Sequence, residues 1–550
     1  MKRIIIIGGV AGGMSAATRL RRLMEDAEII IYEKGPYVSF ANCGLPYHLS
    51  GEILERSSLI VQSPKALKER FNLDVRPNHE VIEIHPENKT IKISHQGEIF
   101  FDHYDELILS PGAQPLIPPI KGFEKAKNVY SLRNIPDLDQ IMNHIKKESI
   151  KNAVVIGAGF IGLEMAENLI NNGYHVSIVE MSDHVLPPFD IEMARFVEEK
   201  LLSKDVAVYT HTSVTEFKNE GNTIVLSTGD EINSDLTILS TGVTPSTKFL
   251  ESSGIKLGPR NAIIVDRHYR TNFENIYAVG DATLTLNQLN NEFTLIPLAS
   301  PANRQGRQVA DVIAGLPTTN RGSIGTAILR VFDSQAASTG LNEKQLQQNH
   351  LPYQAVHITS KDHAAYFPGA TMVAIKLLFH PVTGQIWGAQ AFGPKGIDKR
   401  IDILSTAIKG KLTVFDLQEL EFTYAPPFGS AKDPVNMLGY AAANLIQNIS
   451  ESIQWHELTE ELNQGTLLLD VRSEEEINQS RAFKRSINIP LNSLRQRMNE
   501  LDPSQSYIVT CHSGQRSYIA ERMLKQHGFN VRNLDGSYAI YSKTSAEELI

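Results

Sequence analysis

Short hydrophobic runs alternate with amphipathic stretches along most of the chain. Residues 4–7 form an apolar strand, a glycine-rich turn follows, and residues 14–24 carry apolar positions at helical spacing. A second apolar strand at 28–32 ends at Glu33. The order of strand, glycine turn, helix and strand predicts a parallel βαβ unit, because a crossover helix must connect two parallel strands.

The same pattern recurs in the second quarter of the chain. An apolar strand at 153–156 enters the turn 157–162, a helix runs to Asn171, and the strand 175–179 ends at Glu180. Glycines in such turns let the backbone approach a pyrophosphate, and a carboxylate at the end of the second strand accepts hydrogen bonds from a ribose. Two copies therefore predict two bound dinucleotides.

The two glycine turns differ in one respect. The second matches the G-x-G-x-x-G pattern in full, whereas the first has Val10 where the second glycine is expected. Glu180 favours NADH over NADPH, because a carboxylate repels a 2′-phosphate. Residues 180–183 also lack the Arg or Lys that would bind such a phosphate.

Three more short buried strands enter glycine turns, at 107–113, 239–243 and 277–282. Asp281 ends the last of them and is placed to bind the ribityl hydroxyls of FAD. The order of these motifs resembles the pyridine nucleotide-disulfide oxidoreductase superfamily over about residues 1–445. That resemblance implies an FAD domain interrupted by an NAD domain, a dimerisation domain after both, and a homodimer.

The last hundred or so residues have a different character. A polar stretch at 448–453 precedes the segments LLLDVR, NIPL, CHSGQRS and LDGSY, which together resemble a rhodanese domain. The predicted fold class is therefore α/β, with two Rossmann-like dinucleotide-binding domains, an α+β dimerisation domain and a C-terminal α/β rhodanese domain. The predicted boundaries are 1–112 and 245–322 for FAD, 113–244 for NAD, 323–447 for dimerisation, 448–456 for a linker and 457–550 for the rhodanese domain.

Composition narrows the class of protein. The 550 residues carry a formal net charge of -9, which argues against a chain that coats nucleic acid or binds an anionic membrane. Lys2, Arg3 and the apolar run 4–17 imitate a signal peptide, but glycines interrupt the run and no small-residue cleavage site follows. We expect a cytoplasmic protein with neither nucleic acid nor membrane as partner.

The number of cysteines says more about the chemistry, because the chain has only Cys43 and Cys511. This excludes a disulfide framework and a cysteine-based zinc cluster, so no metal is expected. Cys43 follows the first βαβ unit and has no cysteine neighbour that could trap it as an internal disulfide. Its oxidised partner must be an external thiol, a sulfane sulfur or the oxygen of a sulfenic acid.

The segment around Cys43, SFANCGLPY, resembles that of coenzyme A disulfide reductases, in which one cysteine cycles between a thiolate and a mixed disulfide with coenzyme A. NADH peroxidases and oxidases carry a similar segment, but a histidine usually follows their first glycine turn. Val10 at that position weakens the peroxidase and oxidase interpretation.

The resemblance also implies substrate-binding residues. Coenzyme A is anionic, and Arg19 and Arg22 lie three residues apart on one face of the first helix. Tyr366 and Tyr424, from the partner subunit, are expected to reach Cys43 and to donate to a departing sulfur. The full set of expected coenzyme A contacts is Ser15, Arg19, Arg22, Ser39, Asn42, Arg304 and Lys432.

The expected cofactor contacts follow the motifs and the resemblance. Those for FAD are Gly8, Gly9, Val10, Ala11, Gly12, Gly13, Glu33, Lys34, Asn42, Cys43, Ser110, Gly112, Arg133, Gly280, Asp281, Pro297, Leu298 and Ala299. Those for NADH are Gly157, Gly159, Phe160, Ile161, Gly162, Glu180 and Gly242.

Cys511 begins a loop that joins a buried strand to a helix. Such a loop directs backbone N–H groups at the sulfur, and the helix N-terminus adds positive potential. The loop runs only from Cys511 to Arg516, and a phosphatase of similar design uses a longer one, so persulfide transfer is favoured. Arg516 is the expected anion contact, and Asp470 and Arg472 are expected to brace the loop as an ion pair.

Together these patterns predict an NADH- and FAD-dependent reductase of coenzyme A persulfide, polysulfide or related sulfane sulfur. Cys43 would reduce the substrate and Cys511 would transfer sulfane sulfur. A coenzyme A disulfide reductase and an NADH oxidase are the enzymatic alternatives. A sulfur carrier or sensor is the non-catalytic alternative.

Overall fold

The computed structural model describes residues 2–544 and 546–550. The chain divides into two compact units. The first comprises the chain up to Met181 and Asp205–Gly325, and the second comprises Ser182–Lys204 and Thr326–Ile550. Residues 182–204, which the sequence assigns to the NAD domain, therefore belong to the second unit.

The first unit contains two parallel five-stranded sheets, whose central strands are aliphatic runs buried on both faces. The strand order in one sheet is Ile276–Ala278, Glu106–Leu109, Arg3–Ile7, Glu28–Tyr32 and Asp74–Arg76. In the other it is Ala207–Tyr209, His175–Val179, Asn152–Ile156, Leu236–Leu239 and Val129–Ser131.

Helices and smaller sheets complete the first unit. The helices are Ala11–Leu23, Leu45–Leu49, Pro64–Phe71, Ile135–Lys147, Phe160–Asn171 and Ala299–Ile313. Two antiparallel sheets have three strands, Glu80–His85 with Thr90–His95 and Glu98–His103, and Val214–Lys218 with Thr223–Leu226 and Glu231–Asn233. Two strand pairs are Ala113–Pro115 with Val243–Pro245, and Thr285–Leu286 with Phe293–Thr294.

Two helices of the first unit cross in close contact. Ala11–Leu23 packs against Ala299–Ile313, and a Cβ at Gly306 would lie 2.2 Å from the Gly12 carbonyl oxygen. Glycine is therefore required at the crossing, because any side chain would push the helices apart.

The second unit contains an antiparallel sheet and a parallel sheet. The antiparallel strands, in order, are Ala327–Val331, Ser334–Gly340, Ile386–Gly393, Met372–Phe379 and Gln354–Lys361. Helices Ile191–Leu202, Glu343–Gln348, Ile397–Gly410, Val414–Leu417 and Pro434–Ile446 accompany this sheet. The parallel strands are Ser452–Ile453, Asn530–Leu534, Ser506–Thr510, Leu467–Asp470 and Ser486–Asn488. Their helices are Leu458–Asn463, Glu474–Asn478, Leu491–Arg497, Gln515–Gln526 and Ser537–Tyr541.

The predicted strands are present, and the element ends differ by a few residues. The first helix begins at Ala11 rather than at residue 14, so Gly12 and Gly13 lie buried in its first turn. Strand Ser452–Ile453 pairs with Asn530–Leu534, so the C-terminal sheet begins inside the stretch 448–456 that the sequence predicts as a linker. Among the described residues no helix is both long and apolar enough to cross a bilayer.

A buried lysine in the antiparallel sheet of the second unit contacts three carboxylates. Lys376 is fully buried, and its Nζ lies 2.9 Å from Asp190, 2.6 Å from Glu343 and in contact with Glu192. The three carboxylates lie close enough together to hold a metal ion, but the ammonium group already lies among them. Asp190 and Glu192 precede and begin helix Ile191–Leu202, so the cluster fixes this helix to the sheet.

Lys376→Met is expected to lower the free energy of unfolding of the second unit by about 3–5 kcal/mol, because it leaves buried carboxylates without a counter-charge. Denaturant titration followed by tryptophan fluorescence measures this, since Trp387 and Trp455 both lie in the second unit. Exposed Lys395→Met is the matched control. An equal effect of both substitutions would contradict the prediction.

Candidate active site

The first glycine turn is shaped for close backbone approach. Gly8 has φ +97°, and a Cβ there would lie 2.0 Å from the Ser110 carbonyl oxygen. The Gly9 N–H donates to Glu33 Oε2 at 2.9 Å, and the Gly35 N–H donates to Oε1 at 2.8 Å. Burial raises the pKa of Glu33. This cradle and its carboxylate fit the pyrophosphate and adenosine ribose of FAD.

The remaining residues of this turn lie where the first helix begins. Val10 is its N-cap residue and makes no side-chain cap, Ala11 is its first residue, and Gly12 and Gly13 are buried behind it. Lys34 follows Glu33 directly. Because the first-turn N–H groups of a helix have no intrahelical partners, they are available to an anion at this position.

A polar cluster lies beside Cys43. Arg133 Nη2 donates to Asp281 Oδ2 at 3.2 Å, and its Nε donates to the Ala113 carbonyl at 3.0 Å. With its amide oxygen facing Arg133, Asn42 accepts from Nη1 at 2.8 Å. The structure therefore brings together four segments that the sequence places far apart.

Further expected FAD contacts lie at the edges of this cluster. A Cβ at Gly112 would lie 3.4 Å from Arg133 Nη2, and the Gly280 N–H donates to Gln305 Oε1 at 2.7 Å. Ser110 bonds through its N–H to the Ile7 carbonyl. Pro297, Leu298 and Ala299 lead into helix Ala299–Ile313, which has no side-chain cap, and Pro297 and Ala299 are exposed.

The second glycine turn repeats the geometry of the first. Gly157 has φ +99°, and a Cβ there would lie 2.5 Å from the Ser240 carbonyl oxygen. A Cβ at Gly162 would lie 1.9 Å from the Gly157 oxygen. The Ala158 N–H donates to Glu180 Oε2 at 2.7 Å, as Gly9 does to Glu33. The site therefore fits a second dinucleotide.

The four remaining expected NADH contacts lie in or near this turn. Gly159 is the N-cap of helix Phe160–Asn171, so Phe160 and Ile161 form its first turn, and Ile161 is exposed. Gly242 has φ +103° and follows the strand that ends at Leu239.

Cys43 lies in the short 3₁₀ helix Asn42–Gly44 with its side chain exposed. Partial enclosure by the protein raises the pKa of the thiol, and the negative charges of Glu164 and Asp281 raise it further. Arg133 acts in the opposite direction. Burial first, and the two carboxylates second, therefore favour the protonated thiol of Cys43 over its thiolate.

Glu164 is a site residue that the sequence pattern does not identify. It lies on helix Phe160–Asn171, and its Oε1 accepts from the Tyr47 hydroxyl at 3.4 Å. Only the folded chain brings this carboxylate near Cys43. Its position just after the second glycine turn is the single local signal that could have drawn attention to it.

Glu164→Gln is expected to lower the pKa of Cys43, because it removes a nearby negative charge that disfavours the thiolate. The pH dependence of iodoacetamide alkylation in a Cys511→Ser background measures this change. The midpoint moves to lower pH in Glu164→Gln and stays in place in the exposed control Glu55→Gln. A midpoint that rises or does not move in Glu164→Gln would refute the electrostatic role.

The expected coenzyme A contacts fall into several places. Ser15 Oγ donates to Asn303 Oδ1 at 2.6 Å, and Arg19 Nε donates to Asp311 Oδ1 at 2.7 Å, so both bridge the two crossed helices. Arg19 is already paired, whereas Arg22 is exposed. Arg304 Nη2 donates to the Gly322 carbonyl at 3.0 Å.

Ser39 and Lys432 complete this set. Ser39 has φ +48°, and its N–H donates to the Gly9 carbonyl at 2.8 Å, which ties the segment before Cys43 to the first glycine turn. Lys432 lies in the second unit and is exposed.

The two expected tyrosines lie together in the second unit. Their hydroxyls are 3.1 Å apart, and the Tyr366 and Tyr424 side chains are 76% and 49% exposed. A backbone hydrogen bond from Ala364 to Gly429 joins the two loops. The hydrogen bond to Tyr424 raises the pKa of Tyr366. An exposed pair of phenols is available to a group outside this unit.

Cys511 directly follows strand Ser506–Thr510 and is fully buried. The Gly514 N–H donates to its Sγ at 3.1 Å, and the Ser537 hydroxyl accepts from its N–H at 3.2 Å. Gly514, with φ +97°, is the N-cap of helix Gln515–Gln526. The loop therefore directs a backbone donor and a helix N-terminus at the sulfur.

Charged residues around this loop are paired. The predicted Asp470–Arg472 ion pair is present at 2.6 Å and fully buried. Arg516, expected to contact an anion, instead donates from both terminal nitrogens to Glu476 at 2.6 Å. That ion pair lowers the pKa of Glu476 to about 2. The sequence pattern does not reveal Glu476 as the partner, because the pair joins two separate helices.

Comparison with known protein families assigns the parts of the chain. The family described as pyridine nucleotide-disulphide oxidoreductase matches residues 2–306, and its dimerisation domain matches residues 326–433. The rhodanese-like domain family matches residues 454–544. These matches confirm the predicted fold class.

Individual relatives agree with this assignment. A coenzyme A disulfide reductase of Staphylococcus haemolyticus is 36% identical over 448 residues, which are 81% of this chain and all of that protein. The crystal structure of reduced CoADR-RHD from Bacillus anthracis is 45% identical with a TM-score of 0.98, covering 100% of this chain and 99% of that one. A structure of an NAD-dependent persulfide reductase from A. fulgidus is 38% identical with a TM-score of 0.92, covering 98% of this chain and 100% of that one.

The two dinucleotide cradles, the lone cysteine beside one of them and the extent of these matches lead to one assignment. The chain belongs to the pyridine nucleotide-disulphide oxidoreductase family and carries a C-terminal rhodanese-like domain.

Proposed function

We propose that the protein is an NADH- and FAD-dependent reductase of coenzyme A persulfide, polysulfide or related sulfane-sulfur compounds. The observation that supports this most strongly is that the two cysteines are free thiols in two different domains. Cys43 lies beside the Arg133–Asp281 cluster in the part that matches the oxidoreductase family, and Cys511 lies just before helix Gln515–Gln526 in the rhodanese-like domain. The structural match to the NAD-dependent persulfide reductase from A. fulgidus covers 98% of this chain and supports the proposal.

The chain's own residues define how the cofactors would be held. Glu33 and the first glycine turn would hold FAD, Asp281 would bind its ribityl hydroxyls with Arg133 as a further contact, and Glu180 and the second turn would hold NADH. When bound, the two cofactors together supply the electron pair that the sulfur chemistry consumes.

Cys43 performs the reduction in this proposal. Its thiolate attacks the outer sulfur of a persulfide RSSH, so that Cys43–SSH forms and the thiolate RS⁻ leaves. Two electrons and one proton then convert Cys43–SSH into the Cys43 thiolate and H₂S. Tyr366 and Tyr424 of the partner subunit stabilise the departing thiolate by donating hydrogen bonds, which lowers the cost of its charge.

Cys511 transfers sulfane sulfur. Its thiolate takes the outer sulfur of a donor RSS⁻, which gives Cys511–SS⁻ and RS⁻ with no net oxidation. The Gly514 N–H and the first turn of helix Gln515–Gln526 stabilise both anionic sulfur forms. Coenzyme A, held by the arginines near Ser15, is the proposed carrier between the two cysteines.

The assembly and compartment are also proposals. The matched dimerisation domain and the exposed tyrosine pair support a homodimer in which the second unit of one subunit completes the Cys43 site of the other. The two free thiols fit a reducing cytoplasm. The proposed domain boundaries are those predicted from the sequence. Strand Ser452–Ile453, which pairs with the C-terminal sheet, then lies inside the linker segment 448–456.

A coenzyme A disulfide reductase is the second candidate, and the relative from S. haemolyticus favours it. Steady-state NADH consumption with coenzyme A persulfide, polysulfide and coenzyme A disulfide, with sulfide measured as product, separates the two. We expect persulfide to be preferred, and Cys511→Ser to reduce sulfide release from sulfane donors by about tenfold or more without slowing disulfide reduction. Preference for the disulfide with no effect of Cys511→Ser would overturn the persulfide proposal.

A further inference from the structure

A buried contact joins the antiparallel sheet of the second unit to the rhodanese-like domain. His357 lies on strand Gln354–Lys361, and Asp535 follows strand Asn530–Leu534. His357 Nδ1 and Asp535 Oδ2 are 2.7 Å apart, and the His357 backbone N–H donates to Oδ1 at 3.1 Å. Both side chains are buried, so the contact is shielded from solvent.

The other side of the imidazole is also engaged. His357 Nε2 lies 3.1 Å from Glu192, the carboxylate that also contacts Lys376. Burial opposes protonation, but Asp535 and Glu192 raise the pKa of His357 to about 9. The ring therefore carries a proton on each nitrogen at neutral pH and donates to both carboxylates, so it is held firmly in one orientation.

Asp535 begins the turn that supports Cys511. Gly536 and Ser537 follow it with φ values of +64° and +51°, an unusual conformation for serine. A Cβ at Gly536 would lie 3.2 Å from the His357 Cβ, so the histidine packs directly on this turn. Because left-handed backbone costs free energy, the turn depends on the contacts around it.

The turn that begins at Asp535 fixes the backbone of the cysteine loop at three points. The Ser537 hydroxyl accepts from the Cys511 N–H at 3.2 Å, and the Tyr538 N–H donates to the Cys511 carbonyl at 3.1 Å. The Ala539 N–H donates to the His512 carbonyl at 2.8 Å. His357 is therefore connected to Cys511 by the hydrogen bonds to Asp535, the backbone of residues 535–537 and the hydrogen bonds from that turn to the cysteine loop.

We propose that His357, outside the rhodanese-like domain, is a positioning residue for Cys511. It holds the Asp535–Ser537 turn in its left-handed conformation, and the turn holds Cys511 so that the Gly514 N–H points at Sγ. The proposal rests on the sulfur-transfer role proposed for Cys511. Sulfur transfer at the rhodanese-like site then depends on the contact between this domain and the antiparallel sheet of the second unit.

Two uncharged substitutions distinguish positioning from mere docking. In His357→Asn the amide nitrogen takes the place of Nδ1 and still donates to Asp535, whereas in His357→Gln it takes the place of Nε2 and faces Glu192. Both remove the same charge from the same buried position. The positioning role predicts that only His357→Gln releases the turn.

The measurement is sulfur transfer from glutathione persulfide to cyanide, followed as thiocyanate in the full-length holoenzyme. We expect His357→Gln to slow it roughly tenfold and His357→Asn to stay within about threefold of wild type. Coenzyme A disulfide reduction by NADH stays within about twofold in both. Equal losses in the two variants, or no loss in His357→Gln, would overturn the proposal.

Ser537→Ala gives an independent test through non-additivity. If His357 acts on Cys511 through Ser537, the double variant His357→Gln/Ser537→Ala loses little more than either single variant. Fully additive losses would refute the connection.

Alkylation of Cys511 by iodoacetamide in a Cys43→Ser background separates this proposal from the proposed function. Alkylation requires no sulfur transfer, so it reports on positioning even if wild-type Cys511 accepts no sulfur from any donor. In that case the sulfur-transfer role proposed for Cys511 would be refuted. An alkylation rate that differs between His357→Gln and His357→Asn would still support positioning, and equal rates would refute it.

Discussion

Cys43→Ser is expected to lower NADH-driven reduction of coenzyme A persulfide and coenzyme A disulfide by about 10³-fold or more. Serine cannot accept a sulfur atom or form a mixed disulfide, and among the described residues no other thiol lies beside the Arg133–Asp281 cluster. The chain has only one other cysteine, Cys511, which is buried in the loop of the C-terminal sheet.

The matched control is Cys511→Ser, which removes the other thiol and leaves the disulfide activity intact. Both variants are expected to keep the flavin, because the glycine turn and Glu33 do not depend on either cysteine. The flavin absorbance of the purified proteins verifies this before the rates are compared. Sulfide release and NADH consumption are then measured on the same samples.

Two results would contradict the proposed role of Cys43. Undiminished sulfide release in Cys43→Ser would mean that the reduction occurs elsewhere. NADH oxidation that survives in Cys43→Ser and consumes oxygen would indicate an NADH oxidase, the alternative that Val10 weakens but does not remove.

The features predicted correctly from the sequence are local ones. The strand before Glu33, the strand before Glu180 and the loop after Thr510 each follow from a short hydrophobic run and the glycines beside it. Their geometry depends on nearest neighbours along the chain, because a buried parallel strand leaves its carboxyl end at one edge of the sheet.

The features that the sequence could not predict are pairings between distant residues. Glu164 acts on Cys43, Glu476 binds Arg516, and His357 binds Asp535. Each pair joins different elements, and apart from the position of Glu164 just after the second glycine turn, nothing in the local pattern distinguishes these charged residues from solvated ones. Lys376 is the clearest case, because a lone lysine in an apolar strand gives no indication of the three carboxylates around it.

The two dinucleotide turns share one device that the sequence comparison alone does not show. In each, the N–H of the residue after the first glycine donates to the carboxylate that ends the neighbouring strand. The carboxylate therefore supports the turn and would also receive the ribose hydroxyls. A substitution at either position must preserve the first role in order to test the second.

A test of cofactor choice at Glu180 therefore needs a residue that still accepts a hydrogen bond from the Ala158 N–H. Glu180→Gln keeps an oxygen for the Ala158 N–H and removes the charge, and Met181→Arg places a guanidinium at a side chain that is 76% exposed. We expect the double variant to raise the ratio of kcat/KM for NADPH to that for NADH by about 100-fold or more. Loss of repulsion of the 2′-phosphate and gain of an ion pair are each worth roughly tenfold.

The single variants and Met181→Leu are the controls for this change. Glu180→Gln alone is expected to raise the ratio of kcat/KM for NADPH to that for NADH about tenfold. Met181→Leu is expected to leave this ratio unchanged, because leucine brings no cation to the site. Initial rates with each nicotinamide cofactor at saturating coenzyme A disulfide provide the measurement. If Glu180→Gln lowers kcat/KM for both cofactors equally, the carboxylate only supports the turn, and NADH preference must reside in other residues of the site.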